Sequence, residues 1–304
     1  MRRPGAWRLV LSSLPSRIAY GMSGLAIFFH AQQVTNSLAS AGYAVGAHSL
    51  LSSMTAAPRG HIVDRYGMTK PIAILVPGYS LSAVLLGSWA DSSSRIIFCA
   101  ALMGLNSVPI NMTVRPLWKD VAGEELVRTA YALDSAILSA TGLIGPVIAT
   151  WMSLHIGGPS AMYMVGGLMF LGGSSMLLSS ISRDWVPEKK VPGEKGLLRS
   201  PAMRILALEG VMIGFGWGVF DVTIPSAATI AGERGWAAPA MAALALGGLI
   251  GGLIAGWKFK STEPGRGLVV CEALFAVMAL PMFLVPPGPG TMAVTFLIGI
   301  PSGI

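Results

Sequence analysis

The sequence predicts an all-α membrane protein, a bundle of about ten membrane-crossing helices. Three observations lead to it. Only 12% of the residues are charged and 53% are hydrophobic, against about 25% charged in an ordinary soluble domain, so one water-soluble core could not hide the apolar surface. Ten apolar segments can be drawn, each about long enough to cross a bilayer. The basic residues also fall on alternate connections, as they do when positively charged loops stay in the cytoplasm.

The segments run at 14–34, 40–58, 71–89, 95–113, 129–151, 160–180, 203–230, 236–257, 267–285 and 291–304. The basic start Met1 to Arg8 and the run Ala39-Ser40-Ala41 imitate a cleaved leader. Pro15 and Arg17 interrupt what should then be a continuous apolar core, so an uncleaved first span is expected. Glycine and proline are abundant, 38 and 20 residues, which suits spans in which small residues let helices approach and neighbours satisfy freed backbone groups. The tenth segment reaches Ile304 without a basic flank, so the chain is expected to end inside a helix.

With the N-terminus in the cytoplasm, all but Arg95 and Arg234 of the 21 Lys and Arg residues fall on the inner side. A miscounted span would scramble that asymmetry. The net charge of +7 is thus explained by topology, and no basic soluble module of a nucleic-acid binder is visible. Residues 1–182 form an N-terminal six-helix half, 183–201 a cytoplasmic central loop, and 202–304 an incomplete C-terminal half of about four helices. Ala41-Gly42-Tyr43-Ala44 opens the second span and Arg234-Gly235-Trp236-Ala237 the eighth, an internal echo that chance also produces among small-residue helices.

Between the second and third spans lies Gly60-His61-Ile62-Val63-Asp64-Arg65-Tyr66-Gly67-Met68-Thr69-Lys70. It resembles the G-x-x-x-D-[RK]-x-G-[RK]-[RK] loop of the major facilitator superfamily, with one basic residue missing. Gly60 permits close packing, Gly67 a tight reversal, and Asp64 can face a helix N-terminus or a basic side chain. By this resemblance Gly60, Asp64, Arg65, Gly67 and Lys70 form a conformational-latch loop. In the fifth span, Thr141 to Ala149 resembles the G-x-x-x-G-P-x-x-G-G motif of the superfamily's antiporters, which marks Gly142, Gly145 and Pro146 as a gating helix. The segment Arg115 to Ser135, with Asp120, Glu124, Glu125 and Arg128, looks like the matching loop of bacterial drug and siderophore exporters. The resemblance implies a major-facilitator-type bundle with about ten of twelve helices present, in a bacterial plasma (inner) membrane. Three features depart from it: no basic residue lies within the fourth span, no acid lies in the first, and Gly256 to Ser261 lacks the aspartate of a second charged loop.

An acid inside a span is costly and a functional candidate by default. Asp134, Glu209 and Glu272 fall near the inner ends, where a structural role beside headgroups or arginines competes with a functional one. Asp221 lies deeper, after Gly214-Phe215-Gly216-Trp217-Gly218, where glycines make room and Trp217 offers a stacking surface. It is the leading candidate for coupling or substrate contact, the alternative being a site near the outer surface. Gln32, Gln33, Asn106 and Asn111 lie in spans that line the central cavity in the resembled family, with interhelical hydrogen bonding as the competing role.

Nothing in the sequence points to a cofactor, metal or catalytic centre. Cys99 and Cys271 are isolated, and His30, His48, His61 and His155 are scattered. Ser174 and Ser175 have no matching base, which counts against an intramembrane enzyme. The expected function is secondary active transport, with proton-coupled efflux of a small amphipathic or hydrophobic compound implied by the resemblance. The alternative is an inactive fragment or a transporter-like receptor, because Asp64 in that family faces a helix beyond residue 304. The expected partners are a small-molecule substrate, protons and the lipid bilayer.

Overall fold

The computed structural model describes residues 4–123, 125–183, 185, 200–258 and 264–303. Helices account for all its regular elements among those residues. With no water in the hydrocarbon to satisfy N–H and C=O groups, each crossing segment closes its own backbone hydrogen bonds.

Among the described residues there are thirteen α-helices, and all but the single-turn α9 build the ten passes. They are α1 (Pro4–Thr35), α2 (Leu38–Met54), α3 (Ala56–Tyr66), α4 (Thr69–Ser88), α5 (Ser93–Leu105), α6 (Ile110–Ala122), α7 (Val127–His155), α8 (Gly158–Leu178), α9 (Ser180–Arg183), α10 (Pro201–Ile230), α11 (Ala237–Lys258), α12 (Pro264–Ala279) and α13 (Pro289–Ser302). The second pass is α2 continued by α3, and the fourth is α5 continued by α6. The connections are tight where the sequence supplies the right residue. Ser37 caps α2 by accepting the Ser40 N–H at 3.2 Å. Gly67, Gly123 and Gly157 close α3, α6 and the turn before α8 at φ of 80°, 75° and 127°, a region that disfavours side chains.

Four segments differ from the sequence reading. The first helix starts at Pro4 rather than residue 14, because Ala6, Leu9 and Val10 are buried against neighbours. Residues 60–66, expected as loop, are the last turns of α3, and residues 114–122 belong to α6. Both stretches carry charges on an exposed face and apolar side chains such as Val63, Leu117 and Trp118 on a buried one. The fourth pass, expected to be continuous, is broken between Asn106 and Pro109. Proline lacks an N–H and pushes the preceding residue out of helical geometry, which accounts for the break. The central segment 183–201 lies largely outside the described residues.

Packing centres on α1, which lies against α8, α7 and α2, while α4 packs on α8, α2 on α5, and α11 on α13 and α7. A side chain at Gly21 of α1 would stand 2.5 Å from the Thr141 carbonyl of α7. Glycine seams also join α8 to α1 at Gly172 and Ser16, α5 to α2 at Gly104 and His48, and α11 to α13 at Gly247, Gly251 and Gly299. One apolar cluster, with Phe28, Phe29, Tyr79 and Trp118 among its largest members, fills the first six passes. A smaller one gathers Phe220, Ile224, Leu244 and Ile298, with Phe275 packed edge-on to Phe220.

Five helical stretches are long and apolar enough to cross a membrane by themselves, yet only 33% to 56% of their apolar windows is buried in the protein. The remainder, with Ile74, Leu81, Phe98 and Leu178 exposed around the perimeter, is surface matched to lipid rather than water. The chain is a multi-pass membrane protein.

Gly145→Val inserts a side chain into backbone atoms of Gly21 and is expected to cost about 1–3 kcal/mol through forced separation of α1 and α7. Gly46→Ala enters open space and should be neutral or stabilising by about 0.5–1 kcal/mol. Thermal unfolding in detergent separates the two outcomes, and equal melting temperatures would contradict the seam.

Candidate functional site

A cavity of about 860 Å³ lies between α1, α2 and α7 on one side and α10, α11 and α13 on the other. Its wall is built largely of glycine, alanine and leucine, because the helices that meet there carry small residues on the facing sides. Polar groups are few: Asp221 of α10, His48 of α2, Tyr20 of α1, and the hydroxyls of Ser23, Ser49, Ser135, Ser139 and Ser302. A drug-sized ligand occupies roughly 300–1,000 Å³ in an apolar pocket with a few placed polar groups, which this cavity matches.

Asp221 is the one charged side chain among the described lining residues. It lies opposite Gly24, where an added Cβ would be 3.8 Å from the carboxylate carbon. No ion pair or hydrogen bond engages that carboxylate among the described residues. The Trp217 side chain, predicted to flank it, lies outside the described residues. Gly142 and Pro146 of the predicted gating helix also line the cavity, and Gly145 sits one face away against Gly21.

His48 and Tyr20 were not singled out from sequence as cavity groups. His48 is 7% exposed and packs edge-on to Tyr79 with ring centroids 6.2 Å apart. Tyr20 donates its hydroxyl to the Val108 carbonyl at 2.6 Å, satisfying the backbone at the break in the fourth pass. A hydroxyl in a first span facing a predicted Pro-containing fourth span was the available signal.

Below Tyr20 a second cavity of about 270 Å³ is lined by Ser52, Ser53, Arg59, Ser107 and Asn111 among others. Arg59, buried, donates to the carbonyls of Ser52 and Ser107, and through Nε to Thr55 at 3.1 Å. These carbonyls lie where α2 and α5 end, and helix C-termini carry partial negative charge. One guanidinium therefore closes the break after Met54 and the break after Leu105 together.

Near the basic end of the bundle, Arg17 Nη2 donates to Asp134 Oδ1 at 2.6 Å, with the two side chains 1% and 5% exposed. Trp118 Nε1 donates to the same oxygen at 3.0 Å, and Arg115 approaches the other at 4.0 Å. Asp134 is thus held by α1, α6 and α7 together, away from the cavity wall. From the sequence, Arg17 reads as a break in a leader and as one of the inner-side basic residues, not as the partner of an acid. A buried arginine in a span needs an acid in another one, and Asp134 was the signal for it.

The other predicted residues are dispersed. Gln33 donates to the Ser153 carbonyl at 2.7 Å and accepts the Gly158 N–H at 2.8 Å, bracing α1 on the α7–α8 turn. Gln32 is buried with Oε1 unpartnered. Asn106 donates to the Leu102 carbonyl at 2.9 Å and fills the space beside Gly78. Asn111 faces the smaller cavity. Asp64, Arg65 and Lys70 are exposed at the basic end, with Arg65 over the Tyr66 ring at 5.3 Å and Gly60 beside Met112. No group of three or more His, Cys, Asp or Glu able to hold a metal occurs among the described residues.

A bundle of bilayer-crossing helices folded around a cavity, with one carboxylate among its described lining residues, has the architecture of a membrane transport protein. The sequence model of the Major Facilitator Superfamily matches residues 9–304, and the chain belongs to that family. An uncharacterized MFS-type transporter of Sinorhizobium fredii, y4rN, is 25% identical over 234 residues, covering 73% of this chain and 57% of that protein. The chain thus spans little more than half the length of that relative. Among solved structures, the POT family transporter PepTSo is similar with a TM-score of 0.66 at 14% identity, over 99% of this chain and 81% of that one. A bacterial homologue of the human lysosomal transporter Spinster, inward-facing and occupied, gives 0.63 at 17% identity, over 97% and 70%. A D-xylose–proton symporter gives 0.61 at 12%, over 97% and 79%. These likenesses are of fold. Transport, rather than enzymatic chemistry, is the family's activity.

Removing one member of the Arg17–Asp134 pair leaves a buried charge and should cost about 3–5 kcal/mol. Arg17→Met with Asp134→Leu should unfold at a higher temperature than either single variant. Additive losses in thermal unfolding would mean that the two side chains are not coupled.

Proposed function

We propose that the protein is a secondary active exporter of a small amphipathic or hydrophobic compound, coupled to protons and working by alternating access in a bacterial plasma membrane. The observation that carries the reading is the Asp221 carboxylate, without a partner among the described residues and the one charged group described in a largely apolar cavity wall. A bare carboxylate at membrane depth is costly, and the cost falls when the group takes a proton or faces a cation. Exposed in turn to the two sides of the membrane, it would take up a proton on one side and release it on the other. Substrate and proton then share one site and move in opposite directions.

The remaining predicted residues have roles in that cycle. Gly142, Gly145 and Pro146 let α7 bend beside the cavity while keeping contact with α1 through Gly21. Gly60, Asp64, Arg65, Gly67 and Lys70 form a charged latch at the basic end, which the positive-inside rule places in the cytoplasm together with the N-terminus. The six passes of residues 1–182 would rock against the passes of residues 202–304 about the cavity, with 183–201 as the connection. Gln33 and Asn106 are better read as bracing groups, since both are occupied by backbone partners.

Accumulation assays in cells expressing the protein test this, with and without an uncoupler. Uncoupler treatment should raise the retained compound to the level of cells lacking the protein. Asp221→Asn should reduce coupled efflux by about tenfold or more, with Asp221→Glu recovering part of it. Export that persists unchanged in the presence of the uncoupler would remove proton coupling.

A further inference from the structure

We propose that the smaller cavity is an anion-binding subsite, in which Arg59 takes the carboxylate or phosphate end of the transported compound while its apolar body lies past Tyr20 in the large cavity. The proposal rests on the transporter reading and adds the charge of the substrate's polar end. The substrate is then an amphipathic organic acid.

Arg59 is a buried cation without an anion. It is 8% exposed and makes no ion pair among the described residues. A guanidinium carries five N–H groups. The carbonyls of Ser52, Ser107 and Thr55 accept one each, from Nη2, Nη1 and Nε, which leaves one N–H on each terminal nitrogen. Those carbonyls bring the partial negative charge of helix ends, which offsets only part of what a cation loses on leaving water. A bound anion supplies the rest through charge-assisted hydrogen bonds.

The other polar groups of the groove are open to the same ligand. Ser52, Ser53 and Asn111 line it, the first half-buried and the other two exposed. Their side chains have no hydrogen-bond partner among the described residues. Hydroxyls and an amide can all donate, and no Asp or Glu is among the described lining residues to favour a cation instead. Ile110 and Met112 add apolar surface for the carbon next to the acid.

Placement joins the groove to the main cavity. Tyr20 lines both, one turn, about 5.4 Å, from Gly24, which faces Asp221. The groove continues from Tyr20 toward the basic end of the bundle, so an acid seated on Arg59 is set apart from Asp221 along the pathway. At about 270 Å³ the groove holds an acidic headgroup, whereas a whole drug-sized compound needs roughly 300–1,000 Å³.

The test uses phosphatidylcholine proteoliposomes and dansyl-aminohexanoate, a flat apolar fluorophore on a short carboxylate, with protein-free vesicles as the baseline. The alcohol analogue has the same chain length. The acid should bind about tenfold or more tightly than the alcohol, and a proton gradient should drive it across the vesicle membrane. Asn111→Asp places a negative charge at the rim without removing Arg59, and should weaken the acid about tenfold while leaving the alcohol unchanged. Arg59→Gln should erase the preference for the acid. Because Arg59 also closes two helix breaks, the melting temperature of that variant is measured alongside, and if it does not fold, Asn111→Asp decides alone. Dihexanoyl phosphatidylglycerol, at a concentration where dihexanoyl phosphatidylcholine has no effect, should not displace the acid; displacement would assign the groove to lipid phosphate and overturn the proposal. So would an alcohol that binds as tightly as the acid, an Asn111→Asp variant that leaves the acid unaffected or weakens both probes alike, binding of neither probe, or an acid that binds without being moved. Uncoupler-sensitive export of a compound without an acidic group would then preserve the transporter reading while this one fails.

Discussion

In hydrocarbon, apolar side chains gain nothing by leaving lipid for one another, so the bundle depends on how closely backbones can approach. The meeting of Gly21 in α1 with Thr141 and Gly145 in α7 sets that distance for the whole N-terminal part. One turn toward the basic end, Ser16 of α1 lies on Gly172 of α8, and toward the other end His30 and Gln33 lie on Gly158. With two flanks of α1 fixed by small residues, its third flank is turned to the cavity. Gly24 faces Asp221 there as a consequence of the same alignment. The cavity exists because α1 is pinned from behind.

Polar groups in this bundle divide by what they serve. Arg59, Tyr20 and Gln33 are engaged by backbone carbonyls or amides at breaks and turns, where helices leave groups unsatisfied. Arg17, Trp118 and Asp134 serve one another and lock three helices in register. A buried pair of this kind contributes more to a unique arrangement than to stability, because removing two charges from water offsets most of their attraction. Asp221 belongs to neither class, since its carboxylate has no partner among the described residues and lines the cavity.

The ten passes were legible because each depends on its own composition and on the side its basic flanks take. Helix ends were less so. The final turns of α3 and the whole of α6 are amphipathic, and their charges read as loop until Val63, Leu117 and Trp118 are seen to be buried. Asp221 could be picked out because an acid within an apolar run is conspicuous. The use of Gln33 and Asn106 could not, since it depends on which backbone groups are left open by turns that only the fold creates. The Arg17–Asp134 contact joins residues 117 positions apart, a separation at which local pattern carries no information.

That separation matters at the ribosome. The first helix is absent from those apolar enough to cross a membrane unaided, and Arg17 is one reason. At about 5–20 residues per second of synthesis, Asp134 follows Arg17 by on the order of ten seconds. During that interval the guanidinium has no internal partner and must stay at the headgroups or in the insertion machinery. The earliest helix to be translated is therefore among the last to settle. Its final depth in the bilayer is decided by a carboxylate made more than a hundred codons later.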